Sequence, residues 1–323
     1  MPDPILYLQA FLVVFCASAL TVLALGWWSR PPSRVSVGSC CVAGVVIGQV
    51  AGFYWLRFPV GWPPASALDR YLIALLPAAL IAELLATFPK LPPWTAHTLR
   101  ILLAASLAPV LLHRSVYFEE WTVWHAAIVL GLCGALAVGA WLLIAQLAER
   151  SPGISLPLAL ALAIQGAGVA IMLAGYLRGG AAAMVAAATL LGASLACARV
   201  AKQVPLTALI GFGVVSLCSL LFIGVFFGRL PMASAMALLA APLLCRLTEF
   251  GSGRKQSPLA VGAIRLAIVA TVVAIVLLIA QRKFEREFRP LLFAPPSGAH
   301  LRLSQHCDAE SLLLAGYPAH EAV

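Results

Sequence analysis

The chain has 323 residues, of which 62% are hydrophobic and only 10% are charged. Soluble domains have about 45–50% apolar and about 25% charged residues, so the composition excludes an ordinary water-soluble globular protein. The formal net charge is +9, but the basic residues separate apolar runs and form no basic stripe. That distribution is typical of membrane orientation signals, and we expect no binding to nucleic acid.

Ten apolar stretches follow one another along the chain, each long enough to cross a lipid bilayer as a helix. In lipid every backbone N–H and C=O must be paired within the protein, which leaves helices or a closed barrel. The stretches lack the alternation of barrel strands. We therefore predict an all-α fold, a polytopic transmembrane bundle of about ten helices with short loops. The predicted spans are residues 5–28, 35–56, 71–88, 94–113, 123–147, 154–177, 180–200, 206–228, 230–248 and 258–281.

Clusters of Pro and Gly separate these spans, among them Pro63-Pro64, because proline removes a backbone donor and glycine frees the backbone. The leader before residue 5 carries no Lys or Arg, and the first apolar run is too long for a removable signal. It is predicted to be the first span. We expect one integral membrane domain at residues 1–281 and a polar, flexible C-terminal tail at residues 282–323.

The distribution of Lys and Arg predicts the orientation, because cytoplasmic loops are enriched in basic residues. With the N-terminus outside, ten basic residues lie on the inner side and five on the outer side, before the tail is counted. The tail adds Arg282, Lys283, Arg286 and Arg289 to the outer side, which reduces the difference. The abundance of Arg, Ala and Gly suggests a bacterial chain. We predict insertion in a bacterial cytoplasmic (inner) membrane with the N-terminus outside.

Small residues recur four positions apart in two spans, at Gly44, Gly48 and Gly52 and again at Gly131 and Gly139 with Ala135 between them. Residues at this spacing stay on one face of a helix. Small side chains let a second helix approach closely in lipid. The pattern favours helix packing, within the chain or with partner membrane helices, and a sliding or gating surface is the alternative.

Ionisable residues inside spans are the first candidates for function, because each unpaired one costs about 2.5–3.5 kcal/mol on insertion scales. Glu83 lies roughly 7–8 Å from the inner end of the third span at 1.5 Å per residue. Arg100 lies at a comparable depth in the fourth span, after a short Pro-rich connection. We expect the two to pair. A structural pair is the plainer interpretation, and an ion-coupling carboxylate is the alternative.

Three further polar residues lie within spans. Arg265 is in the tenth span, and Glu249, before the preceding loop, is its expected partner near the inner interface. Gln49 and Gln165 are neutral residues in the middle of their spans. Each is expected either to bridge two helices or to line a polar cavity, and the bridge is the favoured interpretation.

The outer loop after the fourth span contains His113, Glu119, Glu120 and His125. Two histidines and two carboxylates within thirteen residues could bind a metal or carry protons. The spacing matches no metal motif, however, and the aromatic residues between them suit an interfacial turn. The eight cysteines contain no C-x-x-C pair. We predict no metal site and no cofactor.

Three functions from different classes remain open. The first is a secondary transporter or permease for a small solute of unknown identity, supported by Glu83 and by prolines within spans. The second is a non-catalytic membrane subunit or assembly scaffold. The third is an interfacial enzyme on lipid-linked substrates that uses the outer-loop residues, although no motif requires enzymatic activity. A polar cavity at Glu83, Gln49 or Gln165 would favour transport.

Overall fold

The computed structural model describes residues 4–28, 34–58, 61–88, 91–150, 153–200, 206–248 and 258–293. Over these residues all regular secondary structure is helical, and no strand is present. It is therefore an all-α protein, as the sequence predicts.

The α-helices are numbered here in chain order. They are α1 (Pro4–Trp28), α2 (Arg34–Trp55), α3 (Ala67–Arg70), α4 (Leu76–Ala86), α5 (Pro93–Leu112), α6 (Val116–Glu120), α7 (Val123–Arg150), α8 (Ser155–Leu173), α9 (Leu177–Val200), α10 (Thr207–Phe226), α11 (Met232–Leu243) and α12 (Pro258–Phe293). A π-helical turn, Tyr71–Leu75, joins α3 to α4, and a 3₁₀ turn, Leu244–Arg246, follows α11.

Eight helices among the described residues are long and apolar enough to cross a membrane, namely α1, α2, α5, α7, α8, α9, α10 and α12. The two remaining predicted spans are also helical. Residues 71–88 correspond to the π turn and α4, and residues 230–248 to the shorter α11 with its 3₁₀ turn. The chain is thus a multi-pass helical membrane protein, and its apolar helices provide the surface that contacts lipid.

The centre of the bundle is α9, which packs against α8, α1, α2 and α10. In an apolar 18-residue stretch of α9, 83% is buried inside the protein, whereas only 22% of the corresponding stretches of α1 and α12 is buried. Ala-rich helices suit this position because small side chains allow close backbone approach. The helices at the periphery expose large apolar side chains such as Leu20 and Ile128, as expected next to lipid.

The connection between α8 and α9 is a tight turn that sets these two helices side by side. Gly175 adopts φ +92°, a backbone conformation that favours glycine. The N–H of Tyr176 donates to the Ile171 carbonyl, and the N–H of Gly175 donates to the Met172 carbonyl. These two bonds form a Schellman motif, which ends α8 and satisfies two of its terminal carbonyls.

The third span is one helical segment with a widened turn. Ser66 caps it: the Asp69 N–H donates to Ser66 Oγ, and the Ser66 N–H donates to the Asp69 carboxylate. The Leu76 N–H then donates to the Tyr71 carbonyl, five residues back. Pro77 has no N–H to donate and its ring crowds the preceding turn, which accounts for the π turn at this place.

Two compact units divide the chain, Met1–Ala280 and Gln281–Val323. The described residues of the second unit are the last ones of α12, where Gln281 Nε2 donates to Glu285 Oε1 at 3.3 Å. Helix α12 thus continues past the predicted end of the tenth span at residue 281 and reaches Phe293. Residues 282–293 of the predicted tail are therefore helical, and residues 294–323 lie outside the described part.

Candidate functional site

Glu83 on α4 and Arg100 on α5 form an ion pair inside the bundle. Arg100 Nε donates to Glu83 Oε1 at 2.9 Å, and Arg100 Nη2 donates to Glu83 Oε2 at 2.6 Å. The side chain of Glu83 is 1% exposed and that of Arg100 is 13% exposed. Such a bidentate, charge-assisted arrangement is among the strongest side-chain interactions in proteins.

The local sequence places the two partners together. Helix α4 ends at Ala86 and α5 starts at Pro93, so a short connection makes them neighbours. Pro93 is the first residue of α5, a position where its fixed φ favours helix initiation. The pair that the sequence anticipates between these two spans is therefore formed in the structure.

Glu83 also fits closely against α10. A Cβ at Gly211 would overlap Glu83 Oε1 and would lie 2.9 Å from Glu83 Cγ. Only glycine leaves room for the carboxylate at this point. Gly211 is a residue of the site that the sequence analysis missed, since an isolated glycine in a span gives no signal of its neighbour.

Arg100 connects the pair to a small cavity. His97, Arg100, Ile101, Val138 and Trp141 contribute to the lining of this narrow space between α5 and α7, which has a volume of only about 10 Å³. His97 is exposed one turn before Arg100 on the same helix. The cavity gives the guanidinium a partly open side, while the carboxylate is enclosed.

Arg265 on α12 is buried and held by hydroxyl groups. Its Nε donates to Thr248 Oγ1 at 3.0 Å, and its Nη1 donates to Ser155 Oγ at 3.3 Å. The Thr248 hydroxyl in turn donates to the Cys245 carbonyl at 2.8 Å. Glu249, the partner expected from the sequence, lies outside the described residues.

Gln49 bridges α2 to α9. Its Nε2 donates to Thr189 Oγ1 at 3.1 Å, and the Thr189 hydroxyl donates to the Val185 carbonyl at 2.8 Å. Ser18 Oγ on α1 donates to the Thr189 carbonyl at 3.0 Å. The Oε1 atoms of Gln49 and Gln165 are buried and have no hydrogen-bond partner among the described residues.

The glycines of α2 line its contact with α1 and α9. A Cβ at Gly44 would overlap Val22, one at Gly48 would lie 3.0 Å from Ser18 and Thr189, and one at Gly52 would lie 2.6 Å from both Val14 and Val185. The three glycines therefore allow the close approach of three helices inside the chain.

The α7 face that carries Gly131 and Gly139 is different. No heavy atom of the described part lies within 4 Å of a Cβ placed at either glycine, apart from the helix itself. Gly134, on another side of α7, has Ala105 of α5 at 3.7 Å. The face with Gly131 and Gly139 is thus open in the isolated chain.

The outer-loop candidates do not converge on one pocket. His113, Glu119, Glu120 and His125 are all exposed, and the His125 ring packs against Trp121 with centroids 5.2 Å apart. Among the described residues, no group of three or more His, Cys, Asp or Glu side chains could hold a metal.

The loop is fixed to the bundle by its aromatic residues. Tyr117 Oη donates to the Phe226 carbonyl at 2.7 Å, which attaches α6 to the end of α10.

A neighbouring cavity of about 80 Å³ lies between α7, α10 and α11, and its lining is apolar apart from Cys133 and Cys218. A third space, a shallow cleft too small to hold a water, lies beside Arg150 and Arg246. None of these three cavities is lined by Glu83, Gln49 or Gln165.

No family model, curated protein or solved structure matches this chain. Glu83 and Arg100 carry opposite charges inside the bundle, and Arg100 lines a small cavity.

Proposed function

We propose that this multi-pass membrane protein is a secondary transporter or permease for a small solute, and that Glu83 is its ion-coupling carboxylate. The observation that carries the proposal is an enclosed carboxylate paired with a partly open guanidinium, that of Arg100. We further propose a bacterial cytoplasmic membrane as its location, with the N-terminus outside.

The pair has the chemistry that coupling requires. A carboxylate inside a membrane bundle is costly and tends to mark ion or proton pathways. When Glu83 binds a proton, it loses the charge that holds Arg100, and the guanidinium becomes available to an anionic group of a solute. Arg100 lines a narrow space next to His97, and this space would have to widen for such a group to reach the guanidinium.

The helix that carries Glu83 contains a feature suited to movement. The π turn at Tyr71–Leu75 interrupts the regular ladder of backbone hydrogen bonds in this span. Single π turns inside helices occur often at functional sites. Bending at this turn would shift α4, and with it Glu83, relative to α10.

Transport can be tested in proteoliposomes by recording charge movement when pools of small solutes are added, with a proton gradient in either direction. The informative variant is the double substitution Glu83→Gln with Arg100→Gln, because it removes both charges and leaves no buried ion unpaired. Its matched control is Glu149→Gln, which changes an exposed carboxylate on α7. Wild type and the control should give a solute-dependent, pH-dependent current, and the double variant should lose the pH dependence.

The proposal fails if a folded double variant retains the same pH-dependent current as wild type. It also fails if wild type, inserted in both orientations, moves none of the solute pools. Each preparation should be checked for folding by its thermal unfolding profile, so that loss of current is assigned only to inserted, folded protein.

One observation favours a second candidate, a non-catalytic membrane subunit or scaffold. The open face of α7 with Gly131 and Gly139 is of the kind that partner helices use in lipid. Replacing both glycines with Leu should then release a membrane protein that co-purifies with wild type in mild detergent. Gly134→Leu is not a suitable control, because Gly134 is on the side of α7 that faces α5 and the change would disturb the chain itself. Ile275→Leu, at an exposed position on α12, is the control.

A further inference from the structure

Two cysteines from different helices meet in the interior of the bundle. Cys41 on α2 and Cys197 on α9 are each 1% exposed, and their Sγ atoms are 2.9 Å apart. They are separated by 156 positions in sequence. A covalent disulfide has a sulfur–sulfur distance of about 2.05 Å, so only a small movement separates these thiols from bonding distance.

The contact is part of a regular interface. Gln49 lies eight positions after Cys41 on α2, and its partner Thr189 lies eight positions before Cys197 on α9. Gly52, further along α2, faces Val185, further back along α9. The pairs follow one another in the order expected for two antiparallel helices, and the cysteine pair belongs to this series.

The interface is tightly held around the two sulfurs. Gly48 and Gly52 bring α2 close to α9, and the Gln49–Thr189 hydrogen bond fixes its register. Cys40 precedes Cys41 directly, but successive residues point about 100° apart around a helix. The geometry therefore favours Cys41 over Cys40 as the partner of Cys197.

We propose that Cys41 and Cys197 are an oxidisable thiol pair, which a peroxide converts into a disulfide that links α2 to α9. Peroxide oxidises one thiol to a sulfenic acid: the O–O bond breaks, a sulfur–oxygen bond forms and one water leaves. The second thiol then displaces the sulfenic oxygen as a second water while the S–S bond forms. Two thiols and one hydrogen peroxide give one disulfide and two waters. This inference does not depend on transport.

The link can be detected by cutting the chain between the two cysteines. A protease site inserted after Thr122, an exposed position between α6 and α7, leaves Cys16, Cys40 and Cys41 in the first fragment and Cys197 in the second. The purified full-length chain is treated with dilute hydrogen peroxide, the remaining thiols are alkylated, and the chain is cut and run on a denaturing gel without reductant. We expect the fragments to migrate as one band and to separate when reductant is added.

The variants assign the link to the proposed pair. Cys41→Ser and Cys197→Ser should each abolish the joined band, whereas Cys40→Ser, the matched control, should keep it. Separate fragments in oxidised wild type would overturn the proposal, and so would a joined band that survives Cys41→Ser.

A measurement on wild type alone covers the case in which a serine variant fails to fold. After oxidation, mass spectrometry should find the peptides with Cys41 and Cys197 joined, lighter by two hydrogens than the sum of the two free peptides. Exposed Cys16 should be alkylated in the same sample. Alkylation of both Cys41 and Cys197 in the oxidised, denatured sample would contradict the inference.

Discussion

Two polar clusters inside the same bundle are hydrogen-bonded in different ways. Between α4 and α5, Glu83 and Arg100 carry full charges and bind each other through two short bonds. Among α1, α2 and α9, Ser18, Gln49 and Thr189 are neutral and bind one another and the backbone. A charge needs its single partner, whereas a neutral network can lose a member and keep much of its stability. This difference makes the charged cluster the sensitive one.

The largest effect is expected for Glu83→Gln alone. Removal of one partner of a buried ion pair leaves an uncompensated charge, which costs about 3–5 kcal/mol. Unfolding of the purified protein in detergent, followed by heat or by denaturant, measures this loss. Addition of Arg100→Gln to the same chain should recover a large part of it, because no charge then stays unpaired.

The comparison of the single with the double variant can also contradict the assigned ion pair. If the single and the double variant were equally destabilised, the ion pair would not be the source of the loss, and the assigned role of Arg100 as the partner of Glu83 would be wrong.

A smaller effect is expected for Gly211→Ala, which acts on the same cluster from α10. The new methyl group would overlap the Glu83 carboxylate and push it away from Arg100. Overpacking of a filled interior costs about 1–3 kcal/mol. The same unfolding measurement applies, and Gly139→Ala is the control because space is open around it. Equal stability of both alanine variants would show that Glu83 can move aside without loss.

The sequence predicted much of this architecture because lipid imposes a local rule. A stretch long and apolar enough to cross the bilayer must be helical, so the spans follow from composition over about twenty residues. The Glu83–Arg100 pair could be predicted for a similar reason, since a short connection makes α4 and α5 neighbours. Arg265 was identified as a buried cation, although its hydroxyl partners Thr248 and Ser155 were not.

Contacts between distant helices were not predictable in this way. Thr189, Gly211 and Cys197 become neighbours of Gln49, Glu83 and Cys41 only once the bundle is assembled. The central position of α9 was not predictable either. Its composition identifies it as a span but does not show which helices surround it, although its small alanine side chains suit the centre of the bundle. The length of a span also does not predict where its helix ends: α12 continues to Phe293, because a polar helix can extend beyond the apolar span.

The smallest effect is expected in the neutral cluster, for Thr189→Val. Valine keeps the shape of the side chain but cannot accept the hydrogen bond from Gln49 Nε2. Hydrogen bonds between membrane helices contribute about 0.6 kcal/mol on average, so unfolding should shift by roughly that amount. Gln49→Leu should cost no more, because it also removes the buried Oε1 that has no partner among the described residues. A loss from Thr189→Val as large as that from Glu83→Gln would mean that charge is not what makes the two clusters differ.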